Sequence, residues 1–385
     1  MGWASDGHFA TMKWIDAPVT KGAAEQFVCN CMQPLGKQAI RNVTTTMRLL
    51  ETDTHLLPVS VNDGDDAADN CYVVSPETTY IGYAKDELTR IPYPKTAKML
   101  TWLIDGVAQG LAAAQLNRLV QINNWLLSTN LYPVAWRGEA LPTITQQLID
   151  TYPQHAIVFR SLNRFSNAEL LARLRAIGYI AIPSRQVYLF DGRAGEHAPL
   201  LSRHNTRLDA KHLSRMPYQI VHGSALQEDD FPRLEQLYNL LYLDKYCRLN
   251  PQFTADWLRC GQRDGWLELR VLCTATGRID GVVGWFANEA ILTAPIVGYD
   301  TSLPKQYGLY RLLTQMCLQE AVQRRCVLNF SSGAAHFKRL RGGQAEIEYS
   351  MVYVRHLPFA RRFWWQLLGY LLRLLGVPML KIGKL

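Results

Sequence analysis

The chain has 385 residues, 48% of them apolar and 19% charged, so it can fill two ordinary cores and shows none of the compositional bias that marks disorder. Forty-one Lys and Arg against 33 Asp and Glu give a net charge of +8 and a pI near 9.0, which favours an anionic partner without choosing among a phosphorylated carrier, RNA and a lipid surface. The cysteines at 29, 31, 71, 247, 260, 273, 317 and 326 contain no CxxC pair and no histidines at matching spacing, so they read as reduced thiols and no metal is expected. The opening MGWASDGHFATMKW has no basic start followed by a long apolar run, and a cytoplasmic protein is the expectation.

In chain order, the first 70 residues carry little periodicity. Asn62-Asp63-Gly64-Asp65-Asp66 reads as a solvated loop, because the glutamate that would complete a calcium loop is missing. Tyr72 to Ser75 is predicted as a strand. Thr96 to Asn117 is predicted as an amphipathic helix from the spacing of Met99, Leu100, Leu103, Ile104, Val107, Leu111 and Ala114. A strand at 119–123, a helix at 145–152, a strand at 156–159, a helix at 168–177 stopped by Gly178 and a strand at 187–190 complete a first alternating set. The polar, turn-rich stretch 193–215 follows as a join. Its Arg203, Arg207, Lys211 and Arg215 recur every four residues, on one face if helical; solvation is the ordinary fate of such a face, and a carrier or nucleic-acid footprint is the alternative.

The second half repeats the set. Strand 218–221, helices 229–243 and 253–260, and a hairpin of 267–273 with 279–285 across Thr276-Gly277 lead to the sharpest pattern, Ala294 to Glu348. There Ile296 and Val297 end at Gly298, and the turn Lys305-Gln306-Tyr307-Gly308-Leu309-Tyr310 sets a glycine beside a first helical turn. Leu309, Leu312, Leu313, Met316, Cys317 and Ala321 then recur at helical spacing. Unpaired N–H groups and the positive end of the helix dipole at such a turn favour phosphate. The strand Cys326 to Phe330, the turn Ser331-Ser332-Gly333-Ala334-Ala335 and the segment Phe337-Lys338-Arg339-Leu340-Arg341-Gly342 follow.

This succession resembles the GNAT acyltransferase superfamily, whose core has a pyrophosphate-binding turn of the form Q/R-x-x-G-x-G/A, a helix, a strand and a second helix of the form F-Y-x-x-x-G. Within it the chain is most similar to the FemABX-like and CelD-type branch, where phenylalanine-lysine often replaces phenylalanine-tyrosine. Lys305 stands where the pattern has Gln or Arg, and Tyr310 where it has Gly or Ala, so a tighter or differently approached carrier pocket is expected. The resemblance implies an α/β fold with mixed sheets: two tandem GNAT-like domains, residues 1–205 on the acceptor side and 206–355 on the donor side, facing across a cleft. Residues 356–385 form a basic amphipathic tail.

It also implies site roles. Lys305, Gln306, Tyr307, Gly308, Leu309, Tyr310, Ser331 and Ser332 would hold the donor, a coenzyme A thioester or a phosphopantetheinyl carrier thioester. Lys338 would place an ammonium, charged at neutral pH, by the departing thiolate; the bland alternative is a lysine on a solvated face. His336 is the nearest group titrating around neutrality and a candidate base, and Asp300 is a second, although Asp-Thr-Ser before a helix is ordinary turn chemistry. Asp244, Lys245, Tyr246 and Tyr299 would meet the acceptor. Glu348 and Tyr349 open the last strand, and alternation sends one of them toward the cleft.

The expected activity is N-acyl transfer to an amine or hydroxyl of a small metabolite, with an acyl carrier protein as a candidate partner. An aminoacyl-tRNA-dependent transferase is the rival, disfavoured because the inserted helical arm frequent in FemABX enzymes has no counterpart here. A catalytically silent carrier- or membrane-binding module is the third reading. From position 351 onward the chain has Arg355, Arg361, Arg362, Arg373, Lys381 and Lys384 and no acidic side chain, around Phe363-Trp364-Trp365 and a leucine-rich run. Arg373 and Gly376-Val377-Pro378 argue against a membrane-spanning helix, leaving a docked terminal helix, the preferred reading, or one lying on an anionic membrane surface. If the tail is interfacial, truncation after Arg355 is expected to leave a folded protein that no longer binds anionic vesicles; a lowered melting temperature is the expectation for a docked helix.

Overall fold

The computed structural model describes residues 13–15, 22–52, 55–64, 70–88, 94–138 and 140–382; most of the opening segment, and Asp65 and Asp66 of the acidic loop, lie outside them. Among the described residues, twelve strands form one continuous sheet. In sequence they are β1 (Lys13–Ile15), β2 (Thr46–Glu51), β3 (Leu56–Asp63), β4 (Arg118–Ile122), β5 (Ala156–Asn163) and β6 (Ile180–Asp191). The rest are β7 (Gln219–His222), β8 (Glu268–Cys273), β9 (Ile279–Ala287), β10 (Ile291–Tyr299), β11 (Val327–Asn329) and β12 (Gln344–Tyr353). Their order across the sheet is β1-β2-β3-β4-β5-β12-β6-β11-β10-β9-β8-β7. Neighbours are antiparallel except β4 with β5 and β10 with β11. A parallel pair needs a crossover, and the helices Leu141–Thr151 and Leu309–Gln323 supply it in the two halves.

The halves interlock. Helix Arg164–Ala176 carries the chain from β5 to β6 and helix Ala335–Arg339 carries it from β11 to β12, but β12 lies between β5 and β6, and β6 between β12 and β11. Each half therefore closes the sheet of the other, and Glu348 on β12 stands opposite both Asn163 of β5 and Arg185 of β6. The chain ends cross over as well. Phe27 packs between Trp125 and Trp266, each 5.3 Å away, and Asn42 donates to the carbonyls of Arg248 and Asn250, fixing the early segment to the second half. Trp365 and Leu368 of the last long helix are buried with Ala156, Val158, Ile182 and Val352 around the strands that join the halves.

Most predicted elements are present, with three differences. Tyr72 to Ser75 is a turn, not a strand: the amides of Val74 and Ser75 both donate to the carbonyl of Cys71. The poorly periodic stretch 46–63 forms β2 and β3, whose residues are largely buried on both faces, so no alternation marks them. Asp63 ends β3 and meets the His155 ring nitrogen at 2.9 Å rather than lying in a solvated loop. In the tail, Gly376 and Pro378 do not interrupt the helix. It runs from Phe359–Leu371 through a wider turn at Leu372–Gly376 into Val377–Ile382, the wider turn accommodating the missing proline N–H.

Candidate functional site

β10 and β11 are paired only over Ile291–Thr293 and Val327–Asn329. An irregularity between Thr293 and Ile296, around Pro295, bends β10, and beyond it the two strands part. Helix Leu309–Gln323 starts beside this opening. Gly308 caps it at φ 62°, a left-handed conformation suited to glycine, after a tight turn at Lys305–Tyr307. Lys305 and Gln306 are exposed, and His212 braces the turn through the Tyr307 carbonyl, 2.9 Å from its Nε2. Leu309 points into the core. Tyr310 packs on Phe337 (ring centroids 4.9 Å) and Tyr299 (6.3 Å), and burial pushes its hydroxyl well above the usual tyrosine range. Three rings thus pack together from β10 and the two helices Leu309–Gln323 and Ala335–Arg339.

The basic join forms helix His204–Leu213 and packs on helix Leu309–Gln323. Its buried Asp209 bridges Arg311 Nε at 2.7 Å and Arg341 Nε at 2.5 Å, while Arg341 stacks 3.5 Å from the Phe337 ring centre. Arg207 and Lys211 of this helix are exposed, as are Arg203 at its start and Arg215 beyond its end, and His212 on the same helix meets the turn before helix Leu309–Gln323.

Lys338 is neither on a solvated face nor open to a ligand. It is buried, and its ammonium donates to the carbonyls of Phe330, Ser331 (3.3 Å) and Ser332 (2.7 Å), over the Phe330 ring at 4.8 Å. Burial first, and Arg185 second, push its pKa down to about 7, so its charge is not assured at neutral pH as the sequence reading expected. It pins the turn after β11, where Ser331 and Ala334 both adopt positive φ. Ser331 Oγ accepts from Arg185, and Ser332 is exposed, as is His336. Asp300 has both oxygens engaged, Oδ2 by Arg233 (2.7 Å) and Oδ1 by the amide and hydroxyl of Ser302. Burial pushes its carboxyl up, but these bonds together outweigh burial and hold it below the usual range. It is the turn residue of the two readings given above. Lys245 donates to Tyr299 Oη at 3.2 Å and lies over the Tyr246 ring, so these three assemble, whereas exposed Asp244 pairs with Arg248 at 3.6 Å.

The strongest polar cluster was not predicted. Where β12 passes between β5 and β6, registers shift on both sides, leaving Arg160 and Ser161 of β5 and Ser184 of β6 as bulges around Ser350. Ser161 has φ 63°. Arg185 grips Glu348 (Nε to Oε1, 2.8 Å), Ser331 Oγ (3.0 Å), Thr129 Oγ1 (2.9 Å) and the Ser128 carbonyl. Burial opposes its charge, but the buried Glu348 outweighs that and holds the guanidinium firmly protonated. Arg160 donates through Nη1 to the Val73 carbonyl (2.9 Å) and Asn124 Oδ1 (3.2 Å). The available signal was a single arginine inside each otherwise apolar run, IVFRSL and IPSRQVYLF. Of the predicted site residues, Ser331 touches this cluster directly, and Lys338 reaches it through the charge of Arg185.

No family model matches the chain, and no curated protein matches it in sequence. Among solved structures it is similar to FemX, at 8% identity and TM-score 0.53 over 90% of this chain and 99% of that one. L-PGS from Bacillus licheniformis matches at 16% identity and TM-score 0.44 over 60% and 79% of the two chains. A tandem GNAT protein from the clavulanic acid biosynthesis pathway matches at 11% identity and TM-score 0.38 over 89% and 98%. The chain has a fold like that of FemX, in agreement with the order of its elements.

Proposed function

We propose that the protein transfers an acyl group from a polyanionic carrier, a coenzyme A or phosphopantetheinyl-protein thioester, to an amine or hydroxyl of a small acceptor. The observation that carries this reading is the exposed Arg203, Arg207, Lys211 and Arg215 on and flanking a helix whose Asp209 pairs with Arg311 and Arg341 and whose His212 meets the turn at the N-terminus of helix Leu309–Gln323, where β10 parts from β11. Phosphates would meet unpaired amides and the positive end of a helix dipole there. Lys245 and Tyr299 lie where an acceptor would cross the same opening, and Lys338 serves by holding the Phe330–Ser332 carbonyls in place. The length of the basic row favours one second reading, an aminoacyl-tRNA donor, because it spans more surface than a single coenzyme A phosphate needs.

Titration calorimetry with acetyl-coenzyme A, a holo-carrier protein and tRNA is the test. Binding of a thioester carrier, weakened about ten-fold or more in Arg207→Glu/Lys211→Glu and falling with salt, is expected. Binding of tRNA alone moves the assignment to the second reading, and silence toward all three sinks both.

We propose further that the C-terminal helix rests on an anionic lipid surface. Phe359–Lys381 is long and apolar enough to cross a membrane by length and composition. Its first half is docked: Trp365 and Leu368 are buried, Arg361 donates to the carbonyls of Ala114, Gln115 and Arg118, and Trp364 fits so closely on Gly110 that a side chain there would overlap it. Residues 370–382, about 20 Å of helix against the roughly 30 Å of a bilayer core, lie along β6 with Leu372 packed on the core, and only their outer face is free. They expose Tyr370, Leu374, Leu375 and Met379 beside Arg373 and Lys381, a composition suited to an interface.

The truncation belongs after Gly369. A cut after Arg355 removes the buried Arg361 and Trp365 and opens the core, as the docked-helix reading expects. Full-length protein is expected to float with phosphatidylglycerol-containing vesicles at low salt, and the chain ending at Gly369 to stay in solution with its melting temperature little changed. Equal flotation of both, or a full-length protein that dimerises and ignores vesicles, overturns the assignment.

A further inference from the structure

The bulges that turn Arg160 inward leave a small cavity between β5, β6 and β12, lined in part by Arg160, Tyr72, Tyr80, Ser184, Ser350 and Trp365. Arg160 is the only charged residue of its lining, and the wall carries no carboxylate. Among the described residues no acidic side chain forms an ion pair with Arg160; its two acceptors both sit on Nη1, which leaves Nε and Nη2 available. The nearest acid, Glu348, is taken up by Arg185, so the two arginines and one glutamate sum to one uncompensated positive charge. A second feature points the same way. Trp365 is 1% exposed, lines this cavity, and its indole N–H has no acceptor among the described residues. A buried donor without an acceptor is costly, and an arginine facing hydroxyls with no counter-ion is more so.

We infer that this cavity is a subsite for a carboxylate group of the substrate, held by Arg160 and the Trp365 indole N–H. Size limits the occupant. The free volume is about 20 Å³, little more than the ~10–15 Å³ a water centre requires, so an occupant reaches it only with a small end group. Bidentate contact to a planar carboxylate is the geometry a guanidinium offers through two adjacent nitrogens. The cavity borders β6 and β12, the strands that carry Arg185 and Glu348, and Arg185 in turn reaches Ser331 in the turn after β11. The inference rests on the acyl-transfer reading only for which molecule bears the carboxylate. Binding is measured without turnover, so a protein that binds carboxylate yet transfers nothing separates the two.

The experiment uses full-length protein labelled with indole-15N tryptophan, the Trp365 resonance being the one lost in Trp365→Phe. Sodium acetate is titrated against sodium chloride at constant ionic strength, with inorganic phosphate as a second arm. The Trp365 signal is expected to move and saturate with acetate, to ignore chloride, and to require about ten-fold more acetate in Arg160→Lys, which keeps the charge but loses the fork. Should Arg160→Lys fail to fold, Ser350→Ala serves instead, with a several-fold weakening expected. A Trp365 signal that moves with no anion means the cavity holds water only and overturns the inference. Saturation by phosphate alone, or acetate binding equal in wild type and the folded variants, overturns it too.

Discussion

Glu348→Ala is expected to lower stability by about 3–5 kcal/mol, the cost of leaving a buried ion unpaired. Glu348 is 2% exposed, and its two oxygens receive Arg185 at 2.8 and 3.3 Å. Without it Arg185 faces Arg160 and Lys338 with no counter-charge at the junction where β12 closes the first half of the sheet and β6 the second. Because the halves interlock there, the loss should appear as one cooperative shift in urea unfolding followed by fluorescence and by circular dichroism together, not as unfolding of one half. Glu348→Gln, which keeps the shape and one acceptor, is expected to cost less, and Arg185→Met with Glu348→Met to cost less than the sum of the two single changes. A Glu348→Ala midpoint within error of wild type would mean that water screens the cluster.

Lys338→Met carries the second large effect, about 2–4 kcal/mol, because it strips the donor from the carbonyls of Phe330, Ser331 and Ser332 and frees the turn after β11. The pH dependence distinguishes this from plain packing. The folded-state pKa of Lys338, about 7, lies below the unfolded value of about 10.4, so between those values the unfolded chain holds a proton that the folded chain has released. Stability contributed through this group therefore rises with pH from about 7 to about 10 and is least below 7. Wild type should gain on Lys338→Met across that window in chemical denaturation at stepped pH. Parallel curves for the two proteins would show that the lysine keeps its proton throughout and that the carbonyls hold it as a fixed cation. Activity loss in Lys338→Met then reports the turn, and Lys338→Arg, whose larger head does not fit among three carbonyls, should not rescue it.

Local periodicity made the strand, turn, helix and strand from 294 to 348 legible in the chain itself. Leu309, Leu312, Leu313, Met316, Cys317 and Ala321 share one helical face, and Gly308 precedes them in the left-handed conformation that the absence of a side chain allows. The spacing of Arg207 and Lys211 likewise put both on one exposed helical face, whereas Arg203 and Arg215 flank the helix. The corresponding signal is weak in β2 and β3, TMRLLE and LLPVSVND, where the paired Leu49-Leu50 and Leu56-Leu57 break the alternation and Ser60 and Asn62 are buried despite being polar.

Only the tertiary structure decided the site. That β12 enters the first half and β6 the second depends on pairings between residues more than 130 positions apart, and sequence spacing has no term for them. The same exchange puts Arg185 against Glu348 and bulges Arg160 into a cavity shared with Trp365. A lysine next to two arginines in sequence looks solvated, yet Lys338 is buried because the short helix turns it alone toward the Phe330–Ser332 carbonyls, while Asp209, from a helix 132 residues earlier, draws Arg341 aside. Charge can be counted from a sequence, but whether water or a counter-ion surrounds it is fixed by packing, and packing is what separates a surface lysine from a structural one.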